Sequence, residues 1–292
     1  MQTHVSISLV FSLLITWSSY SQKNTYLNQK PPSTTPEKFA PGIISKPNQY
    51  EFGSVFNKDA TAFYFGVNNG GKEEIRYTAL VGEKWTAPKV LMADDKYGYN
   101  DPFLSPDETR LYYISQRPLD GKGESKDYDI WYSERTKNGW SEPVNAGKHI
   151  NTRHDEYYIS FTSDGTLYFS SSKTNNNFDI YASKFVDNSF QKAEVLGKAI
   201  NTKYYEADVF IAPDESYIIF CANRPEGYGR GDLYISFKNK NGEWTPSVNM
   251  GDAINTKGHE LCPFVSKDGK YFFYTSNQDI YWVSTAIFKN YK

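Results

Sequence analysis

Four glutamates recur at one place in a repeating text: Glu51, Glu156, Glu206 and Glu260, with Tyr99 where a fifth would stand. Asp101, Asp155 and Asp208 lie within two residues of that column. Several carboxylates converging on one mouth would suit Ca²⁺, a hard cation that prefers oxygen ligands. The same recurrence has a plainer reading. Each Glu can accept hydrogen bonds from the loop just before it, a local staple copied along with the repeat. Glycoside hydrolysis by paired carboxylates needs an acid and a base in unlike environments, which near-identical repeats supply poorly. No residue is therefore assigned a catalytic role, and no cofactor is expected beyond that Ca²⁺.

Other chemistry-bearing residues fall near the same column. His154-Asp155-Glu156 and His259-Glu260 occupy corresponding positions, and with His149 these are the only histidines after His4. Imidazoles there could bind a metal or move a proton, or simply sit hydrogen-bonded in loops; no H-x-x-x-H or H-E-x-x-H spacing and no G-x-S-x-G elbow is present. Arg117-Pro118 and Arg224-Pro225 open two long glycine-containing loops, where each Arg could meet a partner's carboxylate or an acid of the repeat itself. Aromatic residues cluster around them, among them Tyr128, Tyr157, Phe178 and Tyr205, as stacking platforms or as core. Cys221 and Cys262 fall on strands of neighbouring repeats, where a disulfide and two separate buried thiols are both compatible with the text.

The elements that position these residues follow from the repeat. An Asp turn before an aromatic strand occurs five times, as NKDATAFYFGV, SPDETRLYYIS, TSDGTLYFSSS, APDESYIIFCA and SKDGKYFFYTS. Their aspartates are Asp59, Asp107, Asp164, Asp214 and Asp268. Aspartate accepts backbone N–H groups two residues on, so a hairpin is expected at each. A second strand follows (EIRYT, DIWYS, DIYAS, DLYIS, DIYWVS), then an aromatic and a proline-broken edge strand at Trp85, Trp140 and Trp244. Ile-Asn-Thr recurs at 150–152, 200–202 and 254–256 before the next repeat begins. Four short antiparallel strands in about 50 residues describe a β-propeller blade. The fold class expected is all-β: five four-stranded blades over 37–292.

The fifth repeat stops after DIYWVS, and Phe39-Ala40-Pro41 resembles Trp244-Thr245-Pro246. The N-terminal stretch should therefore supply the outer strand of the last blade and close the ring. Ahead of it, residues 22–36 read as a Pro/Ser/Thr-rich linker. Residues 1–21 read as a signal peptide, with an apolar run from Ser6 to Trp17 and small residues at Ser19 and Ser21. That run is shorter than the roughly 20 residues that span a bilayer, so the chain is expected in the periplasm or secreted and not embedded in a membrane. With 34 acidic against 32 basic residues, net charge −2, no positive excess exists for a nucleic-acid partner.

S-P-D-E-x-x-L-Y-Y, S-x-R-P, D-I-W-Y-S, N-G-W-S-E-P-V-N and I-N-T, in that order, resemble the WD40-like repeats of TolB-type propellers and of exported proteins of Bacteroidetes type. The resemblance covers 39–292. It implies a propeller in an export setting, with six blades as the alternative because TolB has six. The variable loops between the second and third strands, with those between blades, share one face, and binding resides on variable loops of a rigid scaffold. On that face the candidate residues are Glu51, Tyr99, Asp101, Arg117, His154, Glu156, Glu206, Arg224, His259 and Glu260. The function expected is a non-enzymatic scaffold binding a protein or an envelope or dietary glycan there. A carbohydrate-active enzyme of hydrolase or lyase type is the alternative. A closed ring hides its own edges, so a monomer is expected.

Overall fold

Alternating apolar strands that cannot bury both faces alone do so here by stacking around an axis. The computed structural model describes residues 25–174 and 177–292; the expected signal peptide lies outside them. Calling the strands of a blade a to d from the axis outward, blade one is Tyr50–Phe56, Ala62–Asn69, Lys72–Val81 and Lys89–Met92. Blade two is Tyr99–Leu104, Arg110–Ser115, Asp129–Thr136 and Val144–Asn145. Blade three is Glu156–Phe161, Leu167–Thr174, Asn177–Ser183 and Glu194–Val195. Blade four is Tyr205–Ile211, Tyr217–Asn223, Asp232–Phe237 and Val248–Asn249. Blade five is Glu260–Val265, Tyr271–Ser276, Asp279–Ser284 and, from the other end of the chain, Glu37–Lys38. Each a strand contacts the next, and the fifth contacts the first, so the ring is closed with five blades and not six.

Closure takes the expected form. Glu37 and Lys38 pair antiparallel with Trp282 and Tyr281, and the Phe39 N–H donates to Ile280 O at 2.8 Å. The Phe39 ring is fully buried against Phe56, Phe63, Phe273 and Trp282, so the seam between last and first blades is aromatic. The linker reading of 22–36 needs correction over 25–36. Tyr26 packs edge-on against Phe56 and Tyr271 and donates its hydroxyl to Asp268 Oδ1, Leu27 is buried, and Ser33 O accepts from the Ser284 N–H. Two adjacent apolar side chains suffice to hold a stretch that is otherwise polar and proline-rich.

The repeated polar residues hold blades to loops. Oδ1 of the turn aspartates accepts the backbone N–H two residues on at Asp107, Asp164, Asp214 and Asp268, whereas in blade one Asn57 takes that part. Each Asn of Ile-Asn-Thr accepts from an N–H of a c strand and donates to its C=O, as an extra sheet rung would. Asn151 does so on Ile130, Asn201 on Ile180 and Asn255 on Leu233, at 2.8 to 3.0 Å. The C-terminal turn Thr285–Tyr291 buries Ile287 and Phe288.

Candidate functional site

A strand that carries an extra residue bends, and the displaced residue is re-aimed. All five a strands are bulged near their third residue, and at that point stand Gly53, Asp101, Tyr158, Asp208 and Cys262, every one at positive φ between 45° and 53°. Only the first is glycine; the others hold a left-handed conformation that costs an L-residue of order 1–3 kcal/mol. Glycine is required at 53, since a Cβ there would lie 2.4 Å from Asp101 Oδ1. The bulges bring these side chains to the axis. Asp101 Oδ1 accepts from the Cys262 thiol at 3.8 Å, the Asp208 carboxyl accepts from the Cys262 N–H, and the Tyr158 hydroxyl reaches across to donate to Pro263 O at 2.9 Å.

Beneath this layer the channel is plugged. Phe103 of blade two lies 6.0 Å from Phe264 of blade five, which in turn meets Phe210 at 6.1 Å. Blades two and five are not neighbours in the ring, so the first of these contacts crosses the axis. Above it, on the face of the d–a and b–c loops, opens a cup of about 450 Å³. One wall is a run of rings, Tyr128 on Tyr157, Tyr157 stacked on Phe178 at 5.1 Å, and Phe178 on Tyr205. Tyr50 and Phe52 line the opposite side. Glu73, at the start of strand c of blade one just past the tight b–c turn, accepts from Asn100 Nδ2 of blade two at 2.5 Å and from the Tyr128 hydroxyl at 2.8 Å. Arg230 and His259 stand at the rim on the side of blades four and five.

Burial sets the electrostatics. Asp101 is 7% and Asp208 9% exposed. Loss of water pushes the Asp208 carboxyl up to about 7, and Asp101, also beside Asp208 and Glu73, well above the usual carboxylate range. Burial raises the Cys262 and Cys221 thiols and lowers His259, with Arg230 adding to the last effect. Cys221 Sγ lies 3.5 Å from His259 Nε2, a pairing that activates thiols elsewhere. Here both shifts favour the neutral forms, the reverse of thiol activation. His259 comes this close because Gly231 has no side chain, where a Cβ would lie 2.5 Å from its ring. The two cysteines are buried, face different partners and carry no bond between their sulfurs here.

The repeated glutamates are not brought together. Each is fully buried and turned into its own loop. Glu156 accepts from Thr152 N–H and Oγ1, Glu206 from those of Thr202, and Glu260 from those of Thr256, all between 2.6 and 3.0 Å. Glu51, preceded by Ile-Ser-Lys instead, takes the Lys46 N–H at 3.3 Å and the Gln49 amide, leaving Oε2 unpaired. Burial lifts Glu51 and Glu156 to about 7. Four acids facing four separate loops do not make the Ca²⁺ cage read from the sequence, and among the described residues no three of His, Cys, Asp and Glu are grouped to hold a metal.

Arg224 is an internal strut. It donates to Glu206 Oε1, Ser247 Oγ and Ile200 O, and lies over the Tyr234 ring at 4.4 Å. Arg117 lies over Trp131 and makes no ion pair among the described residues, Tyr99 filling the Glu column in its blade. Tyr99 itself packs on Tyr113, and the His154 N–H donates to Thr152 Oγ1, outside the cup. Of the ten candidates, the cup thus gathers Asp101 and His259 alone. Glu73, Asn100, Arg230 and Cys262 were missed as lining residues. The floor residues stand two past the glutamate column, where the five repeats carry Gly53, Asp101, Tyr158, Asp208 and Cys262 and so share no pattern.

No protein-family model matches the chain, and no curated protein sequence does. Solved structures do. TolB from Acinetobacter baumannii superposes with TM-score 0.52 at 14% identity, over 80% of this chain and 54% of that one, so this chain spans about half the length of that protein. A putative TolB from Agrobacterium tumefaciens gives 0.49 at 14%, over 78% and 70%. A puromycin-hydrolyzing peptidase of Mycobacterium tuberculosis gives 0.47 at 12%, over 70% and 30%. At such identities the likeness speaks to architecture, and with the ring described above it makes this chain a five-bladed β-propeller of TolB-like fold.

Proposed function

We propose that the protein is an exported, non-enzymatic binding scaffold that takes a segment of a partner protein, or a glycan, into the cup on the d–a/b–c face. The observation that carries this is the cup itself: a blind, ring-walled cavity on a rigid closed scaffold, with the exposed Arg230 guanidinium at its rim making no ion pair or hydrogen bond among the described residues. Aromatic walls with a few placed polar groups are what ligand cavities are made of. An enzyme would have to use Asp101 and Asp208, now that the glutamates are engaged. Burial moves both in the same direction, whereas an acid and its base need to be moved apart.

Peptide and glycan arrays probed with the wild-type protein and with Tyr157→Ala and Arg230→Glu test the proposal. Ligands should be found that both substitutions weaken and that Asp107→Asn, on the opposite face, leaves alone. Ligands insensitive to both cup variants would overturn it, and cleavage products from a bound ligand would replace it with the enzyme reading. The export component is tested by sequencing the N-terminus of the protein recovered from its host, which should begin at Gln22.

A further inference from the structure

We propose that the floor of the cup receives the ammonium group of a lysine side chain presented by a partner protein, held by the carboxyls of Asp101 and Asp208 and by Asn100 Oδ1. The proposal rests on the cup being the binding site and goes on to name what enters it. Asn100 is 5% exposed, lines the cup, and spends its Nδ2 on Glu73, which leaves Oδ1 buried with no donor. A buried acceptor without a donor is costly, and a bound N–H group would supply one. The two aspartates both touch Cys262, one through its thiol and one through its N–H, so their carboxyls converge at the axis, with no basic side chain paired to either among the described residues. Burial raises the affinity of both for protons, with Asp208 and Glu73 adding to the effect at Asp101, and a bound cation would relieve it.

The tyrosine walls add to the case, because the faces of aromatic rings attract a cation once water is excluded. A Ca²⁺ ion is the poorer fit: two aspartates and one amide oxygen fall well short of the six to eight oxygens it takes. Shape selects the source of the amine. Asp101 and Asp208 stand two residues before Phe103 and Phe210 of the plug, and Asp208 three past Tyr205, so the acceptors lie toward the closed end of the cup, which a long unbranched side chain with a terminal ammonium is built to reach.

Calorimetric titration with acetyl-Gly-Lys-Gly-amide tests this, against the same peptide with norleucine, with acetyl-lysine, and against a glucosamine trimer. The lysine peptide should bind at least about tenfold more tightly than the two neutral peptides, and the amino sugar should not bind. Asp101→Asn combined with Asp208→Asn should remove that preference, and Asp94→Asn, an exposed loop acid, should not. The neutral-peptide comparison uses the wild-type protein, so it decides the matter even where the double variant does not fold. No binding of the lysine peptide, equal binding of norleucine, or binding of the amino sugar in its place would each overturn the inference. A neutral ligand that still depends on Tyr157 would do so while leaving the cup as the binding site. Loss of every Tyr157-dependent ligand would remove the site as well.

Discussion

At the residue scale, the same side chain in two repeats has two fates, and the difference is one neighbour. Arg224 meets Glu206 with both groups shielded from solvent (8% and 0% exposed side chains), whereas Arg117 has Tyr99 in that place and leaves its Nε without a partner. Removing one member of a buried pair strands the other charge, at about 3–5 kcal/mol. Arg224→Leu should therefore lower the unfolding free energy in urea by that amount, while Arg117→Leu should change it by less than about 1 kcal/mol; equal losses would show that the Glu column does not anchor the arginines. Glu51 makes a related point about protonation. Its carboxyl is raised to about 7 in the folded protein from an ordinary value near 4.5. The folded state then holds a proton that the unfolded state has released, so the stabilisation is complete below pH 4.5 and is lost as pH rises through 7. Glu156 and Asp208 act in the same direction. Thermal melts should show stability falling between pH 5 and 8, and Glu51→Gln, with an amide nitrogen in place of the unpaired oxygen, should make that fall shallower. A Glu51→Gln slope identical to wild type would place the titration elsewhere.

At the element scale, what could be read in advance was whatever the repeat copies. Hairpins at the five Asp positions, the aromatic b strands and the outer-strand closure at Phe39 all follow from text that recurs, because each copy meets the same physical demand. The staple reading of Glu156, Glu206 and Glu260 was legible for the same reason. The cup was not. Its floor is built from the a-strand bulge, where the repeats carry Gly, Asp, Tyr, Asp and Cys, and a column without a pattern gives periodicity nothing to work on. Nor did Glu73 stand out, since its partners Asn100 and Tyr128 are in the next blade. The docked N-terminal stretch was obscured by composition: prolines and small polar residues outweigh Tyr26 and Leu27 in number, though not in buried area. The closing element can be weighed directly. Phe39 is fully buried among four aromatic rings, and truncating such a side chain costs about 3–5 kcal/mol. Phe39→Ala should lower the urea midpoint accordingly, and a loss below about 1 kcal/mol would show that the seam does not depend on it.

At the scale of the whole molecule, stability and solution state are both consequences of circularity. Each blade covers its apolar faces only with a neighbour on either side, and strand c of the last blade, Asp279–Ser284, would present a row of unpaired backbone groups if Glu37–Lys38 were not bonded to it. An open strand edge invites another chain. A protein beginning at residue 47 loses that outer strand together with the Tyr26 and Phe39 contacts, so it keeps five inner hairpins but no seal. It should elute as larger species than the full chain does at the same concentration, as measured by light scattering, and its urea transition should broaden as the last blade separates before the others. A peptide spanning 25–46, added in excess, should restore both the full chain's elution and the single sharp transition by supplying the missing strand from outside. A truncated protein with the elution and midpoint of the full chain would mean that contacts between the a strands of blades five and one hold the ring closed unaided.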